Sequence, residues 1–236
     1  MTDHQARRQS VVARAFVKSL PVMAGYVVLG MGFGVLMTDR GYPLMWAAAC
    51  SLLIYAGSMQ YVTVDLLATA ASPLYAALMT LMVNARHLFY GVSMIGKYRG
   101  MGRSKPYLIF GLTDETYSIL CDEREFANRR QAERYCLCLT GFNQAYWVGG
   151  TVLGAALGTV IPFNTQGIEF SMTALFFTVF VEQWLTAGDH MPALTGLTAT
   201  VACLMLFGSD SFLIPAMLII TLVLASPLGK RGERRE

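Results

Sequence analysis

Long apolar runs, each nearly free of charge, make up most of this chain, and a few polar clusters interrupt them at defined places. An apolar stretch of about 20 residues is long enough to cross a bilayer as a helix. Charge-free stretches of that kind occur at 19–38, 44–64, 135–166, 191–209 and 211–229. Transmembrane strands would instead alternate in segments of about 10 residues, and these runs are continuous. The pattern predicts helices at 19–38, 44–66, 73–96, 135–160, 168–187, 191–208 and 211–227. Residues 106–120 form a shorter eighth apolar piece, ending in the mixed-charge stretch 122–134, which reads as a solvated loop or surface helix. The expected fold class is an all-α polytopic membrane protein of about seven to eight membrane segments, some of them broken or re-entrant.

Composition agrees with this reading. The 236 residues are 55% hydrophobic and 14% charged, against about 25% charged in a soluble domain. Mean hydropathy is +0.48. One integral membrane domain is expected over 1–236, with a basic cytoplasmic N-terminus at 1–18 and a cytoplasmic tail at 229–236. The first apolar run is too long for a signal peptide core and lacks a clear cleavage site, so it reads as the first membrane helix. The five cysteines lie in or beside apolar segments. Only Cys136 and Cys138 are close, with no companion pair at zinc spacing. No metal or cofactor is expected. The net charge of +3 is concentrated at the two ends and in one loop; positive-inside topology accounts for it without any nucleic-acid partner.

Counting charges exposes a conflict. Arg7, Arg8, Arg14 and Lys18 vote for a cytoplasmic N-terminus, and Lys230, Arg231, Arg234 and Arg235 for a cytoplasmic C-terminus. Lys97, Arg99, Arg103 and Lys105 vote cytoplasmic as well. If 44–66 and 73–96 both cross fully, residues 97–105 land outside. A broken or re-entrant segment removes the conflict, and Ala56-Gly57-Ser58 is the expected break. Broken helices at membrane depth are tolerated where they line a cavity.

Three polar clusters sit inside the apolar lengths, where strongly polar groups are expensive and usually functional. In the first, running from Tyr55 to Gln60, Gly57 and Ser58 can end one half-helix while Ser58 caps the next. The positive end of such a half-helix suits a carboxylate, with Tyr55, Gln60 and Tyr61 adding hydrogen bonds. In the second, Asn84, His87 and Gly91 share one face of an ideal helix, and Arg86, Tyr90 and Ser93 nearly the opposite one. A helix polar on two sides must be enclosed by protein or locally unwound. Arg86 is always charged and grips a carboxylate bidentately; His87 titrates near neutral pH and can carry a proton. In the third, Thr113 reads as an N-cap with Asp114 and Glu115 in the first turn. A purely structural ion pair of Arg86 with Asp114 or Glu115 stays open beside the functional reading. Glu182 reads as an interfacial anchor more than a site.

Two weaker patterns complete the reading. Gly30-x3-Gly34 on the first helix echoes Gly150-x3-Gly154-x3-Gly158 on the helix opening the second half, and an apolar segment with a glutamine (Gln60, then Gln183) follows each. Transporters are often built from such repeats, although small-x3-small is also generic helix packing. The run Gly91–Lys97 resembles a phosphate-binding loop, but Tyr98 stands where Ser or Thr is needed, in a membrane-helix context. Neither Asp65 nor Asp114 lies in a protease motif, so an enzyme is not expected.

With these clusters the chain resembles the AzlC family (the YgaZ type), large subunits of bacterial branched-chain amino-acid exporters. The matching stretches are Tyr55-Ala-Gly-Ser-Met-Gln60, Asn84-Ala-Arg-His-Leu-Phe-Tyr-Gly91 and Phe110-Gly-Leu-Thr-Asp-Glu-Thr-Tyr117, in the family's order and approximate spacing. The resemblance implies export of valine, leucine, isoleucine or methionine across the bacterial inner membrane, driven by an ion gradient. It also implies a small AzlD-type (YgaH) membrane partner. Substrate contacts are expected from Tyr55, Gly57, Ser58, Gln60, Asn84, Arg86 and Tyr90, and proton coupling from His87, Asp114 and Glu115. The alternative is a membrane scaffold or receptor subunit whose polar clusters only organise an assembly.

Overall fold

The computed structural model describes residues 11–123, 126, 128–160, 170, 173–174, 177, 180–181, 184–185, 188–208 and 212–225. Every regular element among them is helical: α1 (Val11–Asp39), α2 (Leu44–Leu53), α3 (Gly57–Ala68), α4 (Pro73–Val83), α5 (Ala85–Tyr98), a 3₁₀ turn (Gly102–Ser104), α6 (Lys105–Phe110), α7 (Asp114–Asp122), α8 (Arg129–Val160), α9 (Met191–Phe207) and α10 (Leu213–Ala225). Contacts divide the chain into two compact units, Met1–Met172 and Thr173–Glu236. In the second, α9 packs on α10, close to the spans 191–208 and 211–227 expected from the apolar runs. Glu182, Gln183, most of the expected helix 168–187 and the basic ends 1–10 and 226–236 lie outside the described residues.

The first unit is built on α1 and α8. These helices run parallel in close contact: Gly30 faces the backbone of Trp147 and Thr151, Gly34 that of Thr151 and Ala155, and Gly158 faces Thr38. A Cβ on Gly154 would lie 2.0 Å from the Met31 carbonyl oxygen, so only glycine allows the two backbones this close. The glycines that echo each other in sequence are therefore two sides of one interface. Helix packing accounts for their spacing.

Along this pair the core forms two layers. The lower, near the start of α1, joins Ala15, Met94, Tyr98, Met101, Leu108, Leu112, Leu120, Tyr135, Cys136 and Leu139. The upper joins Tyr26, Phe33, Leu36, Met37, Ala47, Tyr55, Tyr61, Val64, Trp147 and Ala155. These memberships trace the chain. Helix α2 descends from the upper end, and near its foot Ser51 meets Thr151 and the Leu52 carbonyl accepts from Gln144. The chain breaks at Ile54–Ala56, and α3 climbs back, Tyr61 donating to the Leu29 carbonyl at 2.8 Å. The segment 44–68 is thus a helical hairpin, not one continuous helix. Helix α4 descends to Asn84, and α5 carries on from there into the lower layer through Met94 and Tyr98. From the lower end α6 rises to the tip at Gly111, which packs on Thr140. Helix α7 returns to Leu120, making 105–122 a second hairpin that enters from the opposite end.

The predicted helix 44–66 is corrected to two pieces, and so are 73–96 and 106–120. Each break falls at or beside one of the three polar clusters, in lengths that overall hydropathy reads as continuous. The first break also lies upstream of its expected place. Tyr55 takes the left-handed conformation, φ +41°, which is costly for a bulky residue and tends to persist at functional sites. Ala56 is the N-cap of α3 and no side chain caps that helix, so Ser58 is not a cap. Among the described residues, helices α1 and α8 run from Val11 and from Arg129, earlier than the apolar runs: charged residues extend a helix beyond its apolar core, and hydropathy sees only the core. By length and composition, α1 alone among the described helices reaches a full membrane span; Leu44–Leu53, Pro73–Val83 and Met191–Phe207 are shorter apolar helices.

Candidate functional site

The tips of the two hairpins and the break at Asn84 meet at one place. Three helices start there: α3 at Gly57, α5 at Ala85 and α7 at Asp114. Each helix N-terminus leaves several backbone N–H groups without intrahelical partners and carries roughly half a positive charge. No side chain caps α3 or α5. Helix α7 is capped as its sequence predicts, Thr113 Oγ1 accepting from Thr116 N at 3.3 Å.

Arg86, the second residue of α5, joins the three. One guanidinium nitrogen donates to Asp114 Oδ2 in a salt bridge, and the other donates to Ser58 Oγ at 2.7 Å. Of the two acids named from sequence, Asp114 takes Arg86. Glu115 instead accepts from Tyr26 Oη of α1. Neither member of the salt bridge is deeply buried: 32% of the Arg86 side chain and 33% of that of Asp114 stay exposed.

Around this pair lie buried polar atoms without a protein partner: Arg86 Nε, Asp114 Oδ1, Asn84 Oδ1 and His87 Nδ1. Buried polar atoms are nearly always hydrogen-bonded, so these four are open to water or to the polar groups of a ligand. The set has both characters, a donor on Arg86 and acceptors on Asp114 and Asn84. Rings flank it. Tyr55 lies 6.2 Å from Phe110 across the two hairpin tips. Tyr90 stacks on Tyr117 at 4.6 Å and meets His87 edge-on at 5.9 Å. Among the described residues, no group of three or more His, Cys, Asp or Glu side chains is placed to hold a metal.

Gly57 and Gln60 belong to the wall behind this place. A Cβ on Gly57 would lie 2.9 Å from the Trp147 ring, so close packing, not backbone freedom, demands glycine there. Gln60 is fully buried, accepting from Trp147 Nε1 at 2.6 Å and donating to Ser51 Oγ at 2.9 Å; Ser51 donates in turn to Thr151 at 2.7 Å. Both ends of its amide are spent on bracing the first hairpin against α8. The sequence reading passed over Tyr26, Thr116, Asn143 and Trp147. Each is polar or amphipathic within an apolar run, and that signal was available for Asn143 and Gln144, which interrupt 135–160 as Arg86 and His87 interrupt 73–96.

Known proteins resemble this chain over most of its length. The family described as AzlC protein matches residues 21–161, a stretch that contains α2 to α8, both hairpin tips and the break at Asn84. The branched-chain amino acid transport protein AzlC of Bacillus subtilis (strain 168) is 43% identical over 236 residues, covering 98% of this chain and 92% of that protein. An uncharacterized membrane protein of Haemophilus influenzae is 38% identical over 222 residues, covering 94% and 91%. The inner membrane protein YgaZ of Escherichia coli (strain K12) is 28% identical over 207 residues, covering 87% and 84%. No solved structure matches.

Proposed function

The chain belongs to the AzlC family, and from that premise we propose that it is a membrane transporter of amino acids whose substrate binds where the two hairpin tips meet Arg86. The carrying observation is the Arg86–Asp114 pair set among three helix N-termini and unpartnered polar atoms. A free amino acid is a zwitterion. Its carboxylate suits Arg86 and the uncapped amides of α3; its ammonium suits Asp114 Oδ1 and Asn84 Oδ1. Binding then replaces one internal ion pair by two, with no net charge added to the site. An arginine and an aspartate that pair with each other between turnovers avoid leaving either charge alone in a place where that is expensive.

The preferred side chains are branched and apolar, and the rings of Tyr55, Phe110 and Tyr90 supply matching surface. The direction is export, driven by a proton gradient through His87, Asp114 or Glu115, with a small AzlD-type subunit as partner; this extends to the chain what its family resemblance implies. Gln60 braces the site without touching substrate.

Orientation follows from charge. Arg14 pairs with Glu123, Lys97 donates to the Leu120 and Glu123 carbonyls, Ser104 bonds Glu133, and Arg129 packs on Gly100. The basic loop 97–105 therefore shares one end of the first unit with the start of α1. We assign that end to the cytoplasm by the positive-inside tendency. Helix α1, the α4–α5 pair and α8 then cross, while both hairpins re-enter. A cysteine at the exposed position Arg103, in a chain with its native cysteines replaced, is expected to resist an impermeant thiol reagent in intact cells and to react in inverted vesicles. Labelling in intact cells reverses the orientation.

Counterflow of labelled valine into proteoliposomes, with and without the small partner, tests the activity. The parent is expected to exchange valine. Gly57→Leu, whose side chain would push on Trp147 and displace the α3 N-terminus, is expected to insert normally and lose exchange. Parent-like exchange by Gly57→Leu removes the hairpin tip from the substrate path.

A further inference from the structure

Adjacent in sequence, Asp114 and Glu115 are held in different ways. Asp114 faces a guanidinium. Glu115 is met by a hydroxyl: its Oε2 lies 2.5 Å from Tyr26 Oη, which lies 2.7 Å from Thr113 Oγ1, which lies 3.0 Å from Thr116 Oγ1. Asn143 Nδ2 donates to Thr116 Oγ1 at 2.9 Å and ends the chain. Tyr26, Thr113, Thr116 and Asn143 are all buried. Tyr26 and Asn143 stand on α1 and α8, which the glycine interface locks together, whereas Glu115 stands on the second hairpin.

Each hydroxyl has one proton to give and can also accept. With Glu115 ionised, Tyr26 must donate to it, so Thr113 donates to Tyr26 and Thr116 to Thr113. With Glu115 protonated, the carboxyl donates to Tyr26, Tyr26 to Thr113 and Thr113 to Thr116, which already accepts from Asn143. Three hydroxyl hydrogens turn over and no heavy atom moves. Glu115 Oε2 thus keeps Tyr26 as its hydrogen-bond partner in both states, and neither state upsets a charge pair, as protonation of the other two candidates would. Protonating Asp114 would leave Arg86 without its counter-charge. Protonating His87 would set a second cation beside Arg86.

We propose that Glu115 takes up and releases the coupling proton, and that Tyr26, Thr113 and Thr116 are positioning residues that keep its carboxyl hydrogen-bonded in both states. The proton comes from water on one side of the membrane, binds the Glu115 carboxylate, and returns to water on the other side; no other reactant is consumed. Besides Tyr26, the titratable groups facing Glu115 are Tyr55 at the first hairpin tip and Tyr90 on α5, with Asp114 and Arg86 alongside. Coupling rests on the transport reading above, but proton binding can be read without substrate.

The test is infrared difference spectroscopy of the purified full chain against pH, following the carbonyl stretch of a protonated carboxyl. The parent is expected to show such a band, Asp114→Asn to keep it, and Glu115→Gln to lose it. In Tyr26→Phe, which removes a charge-assisted hydrogen bond from the ionised form and a weaker neutral one from the acid, the titration is expected to move upward by about one pH unit. A band that survives in Glu115→Gln overturns the proposal, as does a Tyr26→Phe titration equal to the parent's. The Tyr26→Phe measurement decides the matter if Glu115→Gln fails to fold. Expected spectra from a parent that shows no valine counterflow would sink the transport reading and leave the proton site standing.

Discussion

Arg86→Lys is expected to cut valine transport by about 10- to 100-fold while the protein still reaches the membrane. The change keeps a positive charge but loses the planar fork that serves Asp114 and Ser58 from two separate nitrogens. Losing one hydrogen bond to a charged group costs roughly 1.5–3 kcal/mol, and each 1.4 kcal/mol is about tenfold. Arg86→Ala should also lower stability, because Asp114 would be left alone among the helix N-termini. That cost should fall below the roughly 3–5 kcal/mol of a fully buried broken pair, since about a third of each partner is exposed. Initial rates in proteoliposomes, normalised to inserted protein, decide it. If Arg86→Lys transports like the parent, the guanidinium is a structural counter-charge and the substrate carboxylate binds elsewhere.

Gly154→Ala is expected to have the larger effect on stability. Its Cβ would sit 2.0 Å from Met31 O and 2.5 Å from Met31 Cα. Both are backbone atoms of a helix and neither can swing aside. Overpacking a close-packed interior costs about 1–3 kcal/mol, occasionally more, and here the whole α1–α8 contact must open. Gly149, one turn away on the same helix, has nothing within 4 Å of the same added atom. There alanine should be neutral or stabilising by up to about 1 kcal/mol through helix propensity. Thermal unfolding in detergent separates the two, and equal melting temperatures for both alanine variants would mean that the two backbones are not in contact. Since Tyr26 and Asn143 are carried by this pair, Gly154→Ala should weaken transport as well, by loosening the wall against which the second hairpin seats.

Much of this protein was legible in its residues before any coordinates. Continuous apolar runs specify helices, because in hydrocarbon a backbone can satisfy its own hydrogen bonds only within a helix or a closed barrel. The expense of Arg86, Asp114 and Glu115 in such surroundings singled them out, and the Thr113 cap followed from the order of a short hydroxyl residue and two acids. The count of basic residues at 97–105 required one segment before it to turn back, and 44–68 does turn back. The ends of helices escaped the same reasoning. The polar clusters place the breaks to within a few residues, but which residue turns, at Tyr55, Asn84 or Gly111, is set by how the tips pack. The first break was expected at Ala56-Gly57-Ser58, but the packed hairpin tip puts the left-handed residue at Tyr55 and asks of Gly57 only that it leave room for Trp147. Which acid meets Arg86 was likewise a tertiary matter. Asp114 and Glu115 are equivalent by composition, yet successive residues of a helix point in directions about 100° apart. One therefore meets a cation on α5 and the other a hydroxyl on α1, and that division is decided by how three separate helices converge.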